Sequence, residues 1–433
     1  MSLDKLKLNK QLVTAMTDAG FETPKQVQEK VMSRILGGQD LIVSAPEGSG
    51  KTTAYVLAVL FKLKYASEDT PRVLVLVPSA EKIDEVVARF ELLNRSSLRI
   101  AGLQPTGGIQ SQINLIANGC DVVVTTPDRA RAIYLKSGLN VNRLQQLIID
   151  DADLMIKRGM QLPITELATS ITKCQRLVCT DVYHDKLGKL IEPFMNAAAS
   201  MIEVNELPEE NQLQTVEQIL YQVPNYKTKL NLLNFLMRDD EYFTKVVVFV
   251  NSRFNAQKLY KSLNRRLNGE VALLKPMFFD LTGFKTIEEF KASATVRILV
   301  VANEGLEEVA LNEIPFVLHF DLPDTIDAYV ERVTKRDATA EGEVLSITFS
   351  TDTELSQVRR IEQVTGKQME PFELPLGVII ENSASKEKAA KKKAEETEME
   401  GMRGKAFHEK KAKNAKDYNF SSKEKAKMKY KKR

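Results

Sequence analysis

The run Ala45-Pro46-Glu47-Gly48-Ser49-Gly50-Lys51-Thr52 places two glycines, a lysine and a hydroxyl in an order that suits a phosphate group. The glycines permit a tight loop whose backbone N–H groups point inward, and a helix beginning at its end adds the positive pole of its dipole. Lys51 is then placed to reach β and γ phosphates, and the Thr52 hydroxyl to ligate Mg²⁺. Ala45, Gly48, Ser49, Gly50, Lys51 and Thr52 are therefore candidate nucleoside triphosphate ligands. A second cluster, Leu147-Ile148-Ile149-Asp150-Asp151-Ala152-Asp153, ends an apolar stretch in carboxylates. Asp150 is the candidate to share the metal with Thr52, and Asp151 the candidate to orient or deprotonate an attacking water. Lys51 and Asp151 form the candidate catalytic pair.

These groups need strands to carry them and helices to brace them. The phosphate-type loop follows an expected strand at 40–44 and precedes an Ala-, Tyr-, Val- and Leu-rich helix, the context the motif demands. Further short β-branched runs lie at 73–77, 122–125, 147–149 and 177–179, alternating with helical stretches. Continuous apolar runs of that length suit the central strands of a parallel sheet covered on both faces. Before them, Leu6, Leu8, Leu12 and Met16 predict a helix over 3–19, stopped by Gly20. Around 203–214 the pattern breaks into Asn, Glu, Pro and Gln, and strand–helix alternation resumes with strands at 245–250, 297–301, 316–320 and 344–349. The expected fold is α/β, two tandem doubly wound parallel-sheet domains. The expected divisions are 1–204, a linker at 205–214, 215–376, and a tail at 377–433.

The 433 residues suffice for two cores. The opening residues are too polar for a signal peptide, and the longest apolar runs fall short of a membrane span, so a soluble cytoplasmic protein without membrane partners is expected. Cys120, Cys174 and Cys179 lack the close pairing of a metal or redox motif and read as small buried residues. The net charge of +3 hides an asymmetry: residues 385–433 hold 18 Lys and Arg against 8 Asp and Glu, a net of +10, leaving −7 for the rest. Such a tail cannot bury enough apolar surface to offset its ordering entropy and is expected to be disordered when unbound. Its lysines can neutralise phosphates, and Phe407, Tyr418, Phe420 and Tyr430 can stack on unpaired bases, which points to RNA tethering.

The two motifs, in this order and spacing, resemble those of the DEAD-box RNA helicases of superfamily 2, and the resemblance extends from Leu3 to about Phe372. It implies RecA-like domains, ATP with Mg²⁺, and RNA as partner, met in ribonucleoprotein or ribosomal particles. Gly20-Phe21-Glu22-Thr23-Pro24 with Val27-Gln28 looks like the family's adenine-reading motif, which implies that Gln28 pairs with adenine and that Phe21 lies beside it. Where the family has an aromatic further upstream, this chain offers Leu3. Pro78-Ser79-Ala80-Glu81, Gly107-Gly108 and Thr126-Pro127-Asp128-Arg129 are similar to the family's RNA-gripping elements. The resemblance makes Pro78, Ser79, Gly107, Gly108, Thr126, Pro127 and Arg129 candidate RNA contacts. Hydroxyls, amides and arginines at such strand ends hold sugar and phosphate rather than bases, so binding would be largely independent of sequence.

The departures concern turnover. Asp151 stands where the family has Glu, one methylene longer, and a displacement of about 1 Å in a water-positioning group can cost on the order of 100-fold. Thr180-Asp181-Val182 replaces Ser-Ala-Thr. In the second half Phe249-Val250-Asn251-Ser252, Phe320-Asp321-Leu322-Pro323 and Tyr329-Val330 keep the family register. Lys335 and Ala338, however, stand where two phosphate-contacting arginines are expected, with Arg336 as a displaced candidate, and Glu304 reverses an expected positive charge. Two function classes follow: an ATP-dependent RNA helicase or particle-remodelling enzyme with weakened hydrolysis, and a non-catalytic ATP-stabilised RNA scaffold. Gln28 and the RNA-type frame disfavour a DNA translocase.

Overall fold

The computed structural model describes residues 3–64, 70–204, 213–267, 269–276, 281–306, 309–334 and 344–381. Lys335, Arg336, Ala338 and nearly all of the basic tail lie outside these residues, as does most of the expected linker.

The first half holds β1 (Leu41–Ser44), β2 (Val73–Leu76), β3 (Ile100–Leu103), β4 (Val122–Thr125), β5 (Gln146–Ile149), β6 (Gln175–Thr180) and β7 (Ser200–Glu203), in spatial order β3-β4-β2-β5-β6-β1-β7 and parallel throughout. Side chains alternate across the sheet. Leu41, Val43, Val73, Val75 and Leu177 face one core with the helices Gln26–Leu36, Lys51–Lys62 and Ala80–Leu93. Ile42, Leu74, Leu76, Leu147 and Val178 face the other, with helices Pro127–Leu135, Gln161–Ser170 and Asp185–Ile191. Both faces are dry, which is why β1, β2, β4 and β5 are buried at every position and read as unbroken apolar runs.

The second half repeats the plan with β8 (Glu217–Gln222), β9 (Val246–Val250), β10 (Val271–Leu274), β11 (Gly283–Phe284), β12 (Ile298–Ala302), β13 (Phe316–His319), β14 (Leu345–Ser350) and β15 (Glu370–Phe372), ordered β11-β10-β12-β9-β13-β14-β8-β15. The helix Leu355–Thr365 seats Val358 and Ile361 in a cluster with Leu322, Tyr329 and Val333. The expectation of two parallel α/β halves therefore holds.

Several local expectations are corrected. The segment 3–19 is not one helix: a 3-10 turn at Leu3–Leu6 ends at Lys7, whose φ is +53°, and a separate helix runs over Lys10–Asp18. Asn9 divides them, its side chain accepting the Leu12 N–H at 2.9 Å as an N-cap. The strands missed by the apolar-run criterion are chiefly edge or half-covered ones. The burial of β3 alternates, β8 is exposed at both ends, and β15 is exposed along its length. Ordered chain also continues past the expected start of the tail, with Val378 packed on the second core and Asn231 donating to the Ile379 carbonyl at 2.8 Å. Cys120 and Cys179 are buried, Cys174 half-buried, and all three are free thiols.

Candidate functional site

The parallel register brings the carboxyl ends of β1, β6 and β5 side by side, with Ser44 opposite Thr180 and Ile149 opposite Val178. Ligands of open α/β sheets lie in the crevice beyond such strand ends. There the loop after β1 turns through Gly48 (φ +76°) and Gly50 (φ +95°) into the helix Lys51–Lys62. Gly50 has no room for a side chain: a Cβ would lie 2.7 Å from Gln28 Nε2. Gln28 is itself buried and fixed, its Oε1 accepting the Lys25 N–H at 3.0 Å. The adenine-reading candidate and the phosphate-type loop therefore touch.

Lys51 is 6% exposed and all three of its ammonium donors are engaged, by the Ala45 carbonyl, the Pro46 carbonyl at 3.0 Å and Asp181 Oδ1 at 2.7 Å. Burial alone would lower its pKa. The Asp181 carboxylate, with Asp151 and Asp150 behind it, outweighs that and raises it. The pairing of Asp181 with Lys51 is a product of the fold, since the two residues follow the ends of the neighbouring strands β6 and β1.

Asp150 is wholly buried and accepts from the Thr52 hydroxyl and the Tyr55 hydroxyl, each at 2.9 Å. Burial, and next the Asp151 charge, push its carboxyl up to about 6. Asp151 adopts a left-handed conformation, φ +53° and ψ +51°, which short acidic residues tolerate, and it starts the helix Ala152–Lys157. Its carboxylate is 3.4 Å from Lys82, whose pKa is raised because Asp151, Asp150 and Glu85 outweigh its burial. Asp153 ties β5 to β6, accepting from the Thr180 hydroxyl at 2.9 Å and the Asp181 N–H at 3.2 Å.

A cavity of about 630 Å³ opens over these groups, lined by Lys51, Thr52, Gly48, Gln28, Phe21 and Asp151, with Arg360 at its rim. Phe21 lies under the Arg89 guanidinium, 5.5 Å from ring centre. Leu3 instead belongs to the core and does not line the cavity. Ala45 continues the β1 pairing by donating to the Thr180 carbonyl at 3.0 Å, and the Ser49 hydroxyl is buried without a hydrogen-bond partner among the described residues.

A second groove, about 460 Å³, is lined by Pro78, Ser79, Thr126, Asp128, Arg129 and Arg158. Arg129 is 8% exposed: its Nε donates to Gln112 Oε1 and its Nη2 to the Gly107 carbonyl, both at 2.7 Å. It braces the Gly107-Gly108 loop. Gly107 has φ +95°, and Gly108 precedes the helix Ile109–Ala117. Ser79 caps the helix Ala80–Leu93 by accepting the Lys82 N–H at 3.3 Å, and Pro127 opens the helix Pro127–Leu135 after Thr126. Arg158 donates to the Pro78 carbonyl and lines both cavities, a link that no sequence motif marked. In the second half, Glu304 accepts the Arg253 N–H at 3.1 Å, so its charge faces the positive end of the helix Arg253–Asn264.

A family model for the DEAD/DEAH box helicases matches residues 25–183, which include both strand-end motifs. The first half therefore carries a DEAD/DEAH box helicase domain, and the chain as a whole is similar to ATP-dependent RNA helicases. Its relatives include the ATP-dependent RNA helicase DeaD of Haemophilus influenzae, 25% identical over 409 residues, which are 93% of this chain and 65% of that protein. The ATP-dependent RNA helicase CshA of Listeria monocytogenes is 26% identical over 373 residues, 85% of this chain and 69% of the relative. Among solved structures, a DEAD box protein from the hyperthermophile Methanococcus jannaschii is similar at 20% identity and a TM-score of 0.48, covering 86% of this chain and 99% of that one. Among the described residues no helix is long and apolar enough to cross a membrane.

Proposed function

We propose that this chain binds ATP and RNA as an ATP-dependent RNA helicase or ribonucleoprotein-remodelling protein, with hydrolysis and unwinding below the family norm. The observation that carries this is the meeting of Lys51, Thr52, Gln28 and Asp151 around one cavity of about 630 Å³, a volume suited to a nucleotide. Mg²⁺ takes one or two carboxylates together with phosphate oxygens and water rather than a full protein cage. The Thr52 hydroxyl and Asp150 carboxylate, 2.9 Å apart, fit that reduced set, and a buried carboxyl held up at about 6 favours a nearby cation. Bound there, the ion would neutralise charge on the phosphates.

Within that site Lys51 supplies positive charge to the phosphates, the Gly48–Gly50 loop supplies backbone N–H groups, and Gln28 presents its carboxamide to the base. Asp151 would orient the attacking water, although its short side chain already faces Lys82. The groove of Pro78, Ser79, Thr126 and Arg129 gives a surface for an RNA backbone, with Pro127 and the Gly107-Gly108 loop behind it. A second reading, an ATP-stabilised scaffold without turnover, is favoured by one observation: the carboxylate of Asp151, the water-orienting candidate, is already paired with Lys82 at 3.4 Å.

Nucleotide titration beside an RNA-stimulated ATPase assay tests both, using wild type, Lys51→Ala and Asp151→Glu. ATP binding lost in Lys51→Ala, with slow hydrolysis in wild type, is expected. Brisk wild-type turnover removes the claim of weakened hydrolysis, and absence of ATP binding in wild type removes both readings.

A further inference from the structure

Arg360 stands on the helix Leu355–Thr365 of the second half, yet its guanidinium lies at the rim of the first half's cavity. Its Nη2 is 2.9 Å from Glu47 Oε2, in the phosphate-type loop, and 3.6 Å from Asp181 Oδ2. Asp181 thus bridges two cations, one oxygen on Lys51 and the other toward Arg360. A phosphate oxyanion held by Lys51 would be offered the same second partner. Arg360 Nε is buried and has no hydrogen-bond partner among the described residues, so the planar fork retains an unspent donor. Arginine is the side chain whose geometry matches two oxygens of one phosphate.

Resting on the ATP-binding reading above, we infer that Arg360 is the residue through which the second half contacts the terminal phosphate of a nucleotide held at Lys51, with Asp181 and Glu47 holding the guanidinium at the rim when no phosphate is there. The helix is suited to this, because Val358 and Ile361 anchor it in the core while Arg359 and Arg360 face the first half. Arg359 supplies a control: it pairs with Glu203 at 3.5 Å and does not line the cavity.

The test is the affinity of the full chain for ATP and for ADP, each with Mg²⁺, by competition against a fluorescent nucleotide. Wild type, Arg360→Ala, Arg360→Lys and Arg359→Ala are compared, with thermal unfolding to establish that each is folded. Arg360→Ala is expected to weaken ATP by about tenfold or more, the size of a lost charge-assisted contact, while leaving ADP within about twofold. Arg360→Lys should recover part of the ATP affinity, and Arg359→Ala should leave the ATP-to-ADP ratio unchanged. Equal weakening of both nucleotides by Arg360→Ala would mean an interdomain salt bridge only and would overturn the inference, as would an unchanged ATP affinity. Failure of wild type to bind ATP at all would sink the underlying reading and the inference with it.

Discussion

Replacing Asp181 by Asn should tighten ATP binding while weakening the nucleotide-free fold. The carboxylate sits 2.7 Å from Lys51 with a side chain only 5% exposed, and it takes a donor that a phosphate needs. A phosphate oxygen meeting Lys51 would come within about 4 Å of Asp181, where two unit charges at an effective dielectric of about 20 repel by about 4 kcal/mol. Relief of even a third of that, about 1.4 kcal/mol, gives about tenfold in affinity. The amide keeps the shape but leaves Lys51 without its anionic partner, and breaking a buried pair typically costs about 3–5 kcal/mol of stability. Nearby Asp150 and Asp151 should hold the loss toward the lower end. Titration of a fluorescent ATP analogue, paired with denaturant unfolding with and without nucleotide, reads both effects. A folded Asp181→Asn protein whose ATP affinity equals or falls below wild type refutes the idea that this carboxylate competes with phosphate.

Buried His319 lies between Phe249 and Tyr329, at ring separations of 5.6 and 4.4 Å, and burial, then Arg332, holds its pKa well below the usual value. The unfolded chain takes up this proton near pH 6.5 and the folded chain does not. Stability should therefore fall as pH drops below about 6.5, by about 1.4 kcal/mol per pH unit until the folded pKa is reached, and His319→Leu should flatten that part of a denaturant-unfolding profile. Gly50→Ala forces a Cβ into φ +95° and against Gln28, so thermal unfolding should report a loss of about 1–2 kcal/mol, and ATP affinity should drop with it. A chain ending at Asn382 loses all 18 cationic residues of the terminal stretch. Its binding to single-stranded RNA should be weak at every salt concentration, whereas the full chain should lose affinity steeply with added salt, and equal salt slopes would remove the tail from RNA binding.

The sequence by itself determined the strand–loop–helix around Lys51, the carboxylates closing β5, and the parallel character of both sheets. Each is a local or periodic signal: glycines fix a loop, and a strand buried on both faces is apolar along most of its length. The edge strand β3 escaped because its centre is Ala101-Gly102 rather than β-branched residues, and only alternate positions are fully buried. The helix start at Asn9 escaped because a cap competes with periodicity over only a few residues. Register across the sheets decided the rest. Asp181 reaches Lys51 because β6 lies beside β1, and Arg360 reaches Asp181 because the helix after β14 turns that face toward the first half. Arg129, which reads as an arginine ready for RNA, is spent on Gln112 and the Gly107 carbonyl. Charges far apart in the chain carry no mark of their partners in sequence, since attraction depends on distance and desolvation, and only the tertiary structure sets those.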